Sequence, residues 1–134
     1  AEPVRRPVTQ LIGDLASAED CIQTRTRSFY QDGWSLRGTH GTRMGAGEEQ
    51  ALSLTLVAGL EYRIEACGDG QAGPLDLVIY DQDGRDLAWD AGAKGEAGLV
   101  FRPEHTGEYF LAVVNQSLPA DTYRAGVVLS LSYR

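Results

Sequence analysis

The sequence predicts an all-β protein: an antiparallel, jelly-roll-like β-sandwich of about 7–8 strands with one amphipathic α-helix before it. From Glu48 onward, apolar residues recur at every second position, which is the period of a strand with one face in a core. The 16 glycines among 134 residues provide for many turns. No segment of helical period lies between the alternating runs, which disfavours a parallel sheet.

The helix is predicted to span residues 7–28. Its apolar face is marked by residues spaced three and four apart: Val8, Leu11, Ile12, Leu15, Ala18 and Ile22. Pro7 suits the first helical turn, where a missing N–H costs nothing. The apolar face needs a partner, and we expect the helix to cap an open end or an edge of the sandwich.

The sandwich is predicted to occupy residues 34–133. Alternating runs over 52–57 and 61–66, joined through Ala58-Gly59-Leu60, predict a β-hairpin. The remaining runs predict strands over 75–80, around 99–101, over 109–113 and over 123–131. The Gly- and Thr-rich stretch 34–47 is expected to form one or two short strands around His40. Helix and sandwich together form a single domain, residues 1–134.

The net negative charge of the chain disfavours anionic partners. The net charge is −7, whereas a sequence-independent nucleic-acid binder needs Lys and Arg to neutralise phosphates. The same balance disfavours docking to an anionic membrane surface. No apolar run approaches the ~20 residues that cross a bilayer, so we expect neither nucleic-acid binding nor membrane insertion. The acidic excess fits a cation site or simple solubility.

Two cysteines, Cys21 and Cys67, allow three interpretations: a disulfide, two buried thiols or a reactive thiol. They lack the spacing of a zinc site, and neither has an obviously basic setting that would activate a thiol. The start Ala1-Glu2-Pro3 looks like the mature end left by a signal peptidase. In an exported protein the disulfide is favoured, so we expect a periplasmic or extracellular protein with a Cys21–Cys67 bridge.

Several segments match a known pattern in order and spacing. Leu54–Ile64 gives two strands around a glycine; Leu75–Asp81 gives an aspartate-flanked strand followed by Asp83-Gly84; Phe101-Arg102-Pro103 precedes Thr106-Gly107-Glu108-Tyr109; and a closing strand surrounds Tyr123. From Trp34 to Tyr133 the chain thereby resembles the bacterial pre-peptidase C-terminal domain. The resemblance implies a jelly-roll-like sandwich associated with secretion, with binding to polymeric substrates such as collagen and, in some members, with calcium. The added N-terminal helix departs from that family.

The turn before Tyr109 also has a direct physical interpretation. Pro103 cannot donate to a strand ladder and should end its strand. Gly107 is expected to adopt the positive φ of a turn. Tyr109 can bury its ring and still satisfy its hydroxyl at the corner. These residues are therefore assigned to folding.

The sequence contains no recognisable catalytic constellation. His40 and His105 are the only histidines, and neither a nucleophile elbow nor a zinc-binding helix motif is present. We therefore expect a protein that is not an enzyme and has no catalytic residues.

One segment could hold a metal ion. Asp81, Asp83 and Asp86 cluster around a turn, and calcium prefers the hard oxygen ligands that such loops supply. The alternative is that Asp81-Gln82-Asp83-Gly84 is a hairpin turn chosen for its backbone chemistry. Calcium is the only cofactor that the sequence suggests, and it competes with this structural explanation.

Three residues are candidates for contact with a partner: Trp89, Trp34 and Arg43. The two tryptophans are poorly explained by strand alternation, and exposed tryptophans stack on sugars or protein partners. Trp89 could instead close the core at one end of the sandwich. We expect a non-catalytic, exported binding module for a protein or polysaccharide. The alternative is a calcium-stabilised structural or accessory protein, chaperone-like, of a secreted enzyme system.

Overall fold

A computed structural model describes residues 11–12, 15–70, 72–92, 95–119 and 122–134. Within them lie one helix, α1 (Leu15–Gln31), and nine strands. The strands are β1 (Leu11–Ile12), β2 (Ser35–Met44), β3 (Glu49–Leu56), β4 (Tyr62–Gly68), β5 (Leu75–Tyr80), β6 (Asp86–Gly92), β7 (Glu96–Phe101), β8 (Gly107–Asn115) and β9 (Thr122–Tyr133).

The strands form two sheets that pack face to face. The first sheet has the order β2-β9-β4-β7, with β1 beside the start of β9, and the second has the order β3-β8-β5-β6. All pairings are antiparallel except the parallel pairing of β1 with β9. The predicted fold class, a jelly-roll-like sandwich with one N-terminal helix, is confirmed.

The core lies between the two sheets, where the inward residues of each strand meet. Its fully buried members include Met44, Leu56, Ile64, Leu75, Leu77, Ile79, Val113 and Val127. The inward set is the one that period-two alternation marks in β4, β5 and β8. Among the described residues, no helix combines the length and hydropathy needed to span a membrane.

The helix lies across the outer face of the first sheet and contacts β9, β4 and β2. Ala18 and Ile22 are buried there against Cys67 and Val128. The expectation that the helix caps an end or an edge is therefore wrong: its apolar stripe covers a sheet face. A disulfide joins Cys21 to Cys67 across this contact, as predicted.

The helix boundaries differ from the predicted span of 7–28. The predicted start at Pro7 lies outside the described residues. Leu11 and Ile12 fit the helical spacing, but their backbone pairs with Thr122 and Arg124 of β9. The helix therefore begins at Leu15, and it continues past Ser28 to Gln31.

Two of the predicted strand arrangements need correction. The runs 52–57 and 61–66 do not form a hairpin, because β3 pairs with β8 while β4 pairs with β7 and β9. The turn at Gly59, with φ 90°, instead carries the chain from one sheet to the other. Stretch 34–47 forms one long strand, β2, and the segment after the Asp81 turn forms β6.

The corner before β8 keeps Tyr109 in the predicted role. Its ring is buried, and its hydroxyl donates a hydrogen bond of 2.6 Å to the backbone carbonyl of His105. The expected positive φ at Gly107 is wrong, since the glycines with positive φ lie elsewhere, Gly59 and Gly84 among them.

Candidate binding face

The outer faces of the two sheets are covered very differently. The helix shields much of the first sheet, whereas no described helix or strand packs over the second. Strand pairing assigns residues to this second outer face, here called the open face, in rows that cross the strands. The rows contain Trp89, Val78, Ala112 and Ala51; then Asp86, Tyr80, Phe110 and Ser53; then Ala91, Asp76, Val114 and Glu49; and last Glu108 and Thr55.

Trp89 is the most exposed large hydrophobic side chain of the open face. It lies on the edge strand β6 opposite Val78, and 69% of its surface is accessible. The next residue on the same side of the strand is the small Ala91, whose methyl group leaves the indole ring accessible to solvent. Trp89 therefore does not close the core, and the prediction that it contacts a partner stays open.

The row that begins at Trp89 and Val78 continues with small residues. Ala112 and Ala51 continue the row across β8 and β3, and each contributes a single methyl group. One neighbouring row carries Tyr80 and Phe110, whose rings stack with centroids 5.8 Å apart. A concavity of about 270 Å³ lies beside Trp89 and is lined by Asp76, Val78, Asp86 and Ala91 among others. We call this concavity, together with the small residues Ala112 and Ala51 farther along the row, the trough.

The polar groups of the open face are mainly carboxylates. Glu49, Asp76, Asp86 and Glu108 lie on it, and none of its described residues is Lys or Arg. Ser53 donates a 2.6 Å hydrogen bond to Glu108, and the Gln116 amide donates to Asp76. These contacts hold two carboxylates in place without neutralising their charge.

The structure places Trp34 away from this face. It is only 3% exposed, and the guanidinium carbons of Arg134 and Arg63 lie 4.3 and 5.0 Å from its ring centroid. A side chain this buried cannot stack on a ligand, so Trp34 acts in packing and is removed from the candidate contact residues.

Arg43 is exposed, but it lies on β2 of the first sheet. Trp89 lies on β6, at the edge of the sandwich where β6 contacts β7. The two residues therefore belong to different surfaces and do not form one site.

The aspartates predicted to bind calcium lie at the turn between β5 and β6. One carboxylate oxygen of Asp81 accepts backbone hydrogen bonds from Asp83 (2.9 Å) and Arg85 (3.0 Å), as in an Asx turn. The Arg85 side chain lies 3.5 Å from Asp83, while Asp86 is already on β6. These backbone hydrogen bonds explain why the turn has an aspartate at position 81.

One metal-ligand cluster occurs in the described part of the chain, and it is not at this turn. Cys21, Cys67 and Glu96 have ligand atoms within 4.8 Å of one another. Both sulfurs are held in the disulfide, so they are not thiolates that could coordinate a metal.

Beneath the helix lies an ion-pair cluster that the sequence did not reveal. Glu65 points outward from β4 but is buried, because the helix covers it. Arg25 contacts it at 2.8 Å and Arg63 at 3.4 Å, and Arg25 also pairs with Glu96. Burial raises the pKa of Glu65, although both arginines act in the opposite direction.

Several further concavities lie outside the open face, and two of them offer alternative binding sites. One, of about 230 Å³, opens between the edge strands β2 and β3 and is lined mainly by leucines, including Leu52, Leu129 and Leu131. The other, of about 540 Å³, lies at one end of the sandwich between the turns that contain Asp83 and His105.

The overall shape has counterparts among known structures. One is the periplasmic inhibitor of g-type lysozyme from Aeromonas hydrophila, with 11% identity and a TM-score of 0.55 over 72% of this chain and 85% of the other. Another is the pre-peptidase C-terminal domain of a Bacillus anthracis collagenase, with 14% identity and a TM-score of 0.55 over 72% and 89%. The chain has a β-sandwich of the pre-peptidase C-terminal type. No family model and no curated protein sequence matches it.

Proposed function

We propose that this protein is an exported, non-catalytic binding module that recognises a protein or polymeric partner through its open face. The observation that carries the proposal is the exposure of Trp89 at the end of the trough, next to the row that holds the stacked rings of Tyr80 and Phe110. Indole side chains are frequent energetic centres of interfaces, because they bury much area at a low entropic cost.

The asymmetry of the sandwich supports this choice of surface. Helix α1 is fixed over the first sheet by its apolar stripe and by the disulfide. The second sheet keeps an exposed Trp89 and half-buried Tyr80, Phe110 and Val78 on its outer side. An exposed indole beside partly exposed aromatic and aliphatic side chains is a frequent anchor for a partner.

Export is part of the proposal and has two supports. The Cys21–Cys67 disulfide is of the kind that persists in oxidising compartments. One protein with a similar fold is described as a periplasmic inhibitor. Fractionation of the producing cell tests this part directly: protein confined to the cytoplasm with both thiols alkylatable contradicts it.

The binding proposal is tested with Trp89→Ala and a matched control, Tyr30→Ala. Tyr30 is an equally exposed aromatic residue (73%) at the end of α1, on the side of the sandwich away from the open face. Xylan, chitin, collagen, a g-type lysozyme and a displayed random-peptide library provide the candidate partners. We expect Trp89→Ala to weaken the Kd of any true partner by about 30-fold, the loss typical of an interface hot spot.

The control should change the same Kd less than about twofold, because scattered surface residues seldom contribute to binding. Both variants should keep the wild-type melting temperature, since each removes an exposed side chain. A partner whose Kd is unaffected by Trp89→Ala would show that the open face is not the binding surface.

The second candidate function is a calcium-stabilised accessory protein. It is favoured by one observation: Asp81, Asp83, Glu104 and His105 line the same cleft at the end of the sandwich. With calcium at about 100 times its Kd, linkage predicts a stabilisation of about 2.7 kcal/mol, or roughly 10 °C in Tm. Asp83→Asn should abolish that shift, whereas no shift in the wild-type protein removes this candidate.

A further inference from the structure

We propose that the partner of the open face is a cationic protein surface, in which Lys or Arg side chains project into the trough and stack on Trp89. This inference rests on the proposed function and specifies its partner class. It follows from the charge, the hydrogen-bonding capacity and the shape of the open face.

The charge of the open face is complementary to that of a cationic partner. Carboxylates lie on both sides of the trough, Glu49 and Asp76 on one side and Asp86 and Glu108 on the other. No described residue of the face carries a positive charge, and the whole chain carries −7. Such a field raises the local concentration of a cationic partner and opposes an acidic one.

The open face offers a partner more hydrogen-bond acceptors than donors. Ser53 already donates a hydrogen bond to Glu108, and Gln116 donates one to Asp76. These two neutral donors are therefore not available to a partner. The second oxygen of Asp76 is buried and has no donor among the described residues, so the accessible acceptors of the face are chiefly Glu49, Asp86 and Glu108. Ionised carboxylates only accept, whereas ammonium and guanidinium groups only donate. A sugar hydroxyl, which both donates and accepts, matches this face less well.

The indole of Trp89, at one end of the trough, can bind a cation through its ring face. An ammonium or guanidinium over an indole face gains attraction from the ring quadrupole. The chain uses this contact internally, since Arg134 and Arg63 both pack on Trp34. Trp89 offers the same ring on the surface, with Asp86 on its own strand and on the same face.

The experiment begins with a displayed random-peptide library selected on the wild-type protein and counter-selected on Trp89→Ala. The selected peptides should be enriched in Lys and Arg relative to the input library. Their Kd and association rate are then measured by biolayer interferometry at about 50 and 500 mM NaCl, since the Debye length falls to about 4 Å at the higher salt.

Two charge variants separate the local field from the total charge. E49Q/D86N/E108Q neutralises three exposed carboxylates of the open face, and E19Q/D20N/E104Q neutralises three exposed carboxylates elsewhere. At low salt we expect the first variant to lower the association rate about tenfold and the second to lower it less than twofold. The difference between the variants should shrink at high salt.

Enrichment of Lys and Arg, together with this salt-dependent difference, supports the inference. It is overturned if the selected peptides are neutral or acidic, if none depends on Trp89, or if both charge variants behave alike. A salt-independent Kd for xylan or chitin that depends on Trp89 overturns the cationic partner but leaves the proposed function intact. Equal binding by wild type and Trp89→Ala contradicts both.

Discussion

The disulfide between helix and sandwich makes the most quantitative prediction. Cys21 and Cys67 are separated by 46 residues, and the loop-entropy relation assigns such a bridge about 4 kcal/mol of stabilisation at 25 °C. The bridge joins α1 to β4 beside Ala18, Ile22 and Val128, whose small apolar cluster has little area of its own. We therefore expect C21A/C67A to lose most of that 4 kcal/mol, which corresponds to a fall in Tm of about 12 °C.

Urea unfolding followed by circular dichroism measures this loss. Wild-type protein reduced with dithiothreitol is the control, because it lacks the bridge but keeps both side chains. The two forms should agree within about 1 kcal/mol, the cost of the volume change at Cys67. If the reduced wild type unfolds at the same urea concentration as the oxidised protein, the helix is held by packing alone and the entropic argument fails.

Three other predictions concern the scaffold. The raised pKa of Glu65 means that its protonation favours the folded state below pH 4.5, and this contribution is lost as pH rises through the folded pKa. The stability of wild type minus that of Glu65→Gln should therefore fall as pH rises above 4.5, and a constant difference in urea titrations refutes this. Tyr109→Phe should cost about 1 kcal/mol through the lost hydroxyl hydrogen bond, and an unchanged midpoint would remove that bond from the account. Gly92→Ala should lower the free energy of unfolding by about 1–3 kcal/mol, because the added Cβ would lie 1.8 Å from the Glu96 carbonyl oxygen. The control is Gly38→Ala, which has open space around it and should melt within about 2 °C of wild type.

The sequence predicts the sandwich well where burial leaves a period of two. β5, β8 and β9 carry alternating or continuous apolar residues, so their existence follows from the pattern. β6 was missed because it is an edge strand whose largest residue, Trp89, points to solvent. β2 was expected to be shorter because its run of glycines, threonines and arginines has almost no buried residue.

Partner choice between strands is less accessible to sequence reasoning. Residues 52–57 and 61–66 alternate and flank a glycine turn, which fits a hairpin and a crossover between sheets equally well. Pairing is decided by distant strands, β8 for the first run and β9 for the second. The same holds for Leu11 and Ile12, whose helical spacing is overridden by the edge of β9.

The candidate face was only partly visible from the sequence. Trp89 and Trp34 are both tryptophans in polar surroundings, yet one is exposed and the other lies between guanidinium groups. Trp34 is buried because it follows the helix directly, where the chain returns to the sheet. The trough depends on register, which brings Ala112 beside Val78 and Ala51, and local sequence does not specify register between distant strands.

The measurement that tests the central claim most directly is a ¹H–¹⁵N NMR titration of the labelled protein with a selected peptide. The account predicts the largest amide shifts along the open face, in residues 76–80, 86–91 and 108–114, and small shifts in α1. Largest shifts between β2 and β3, or in the turns that carry Asp83 and His105, would place the partner in another concavity and contradict the account.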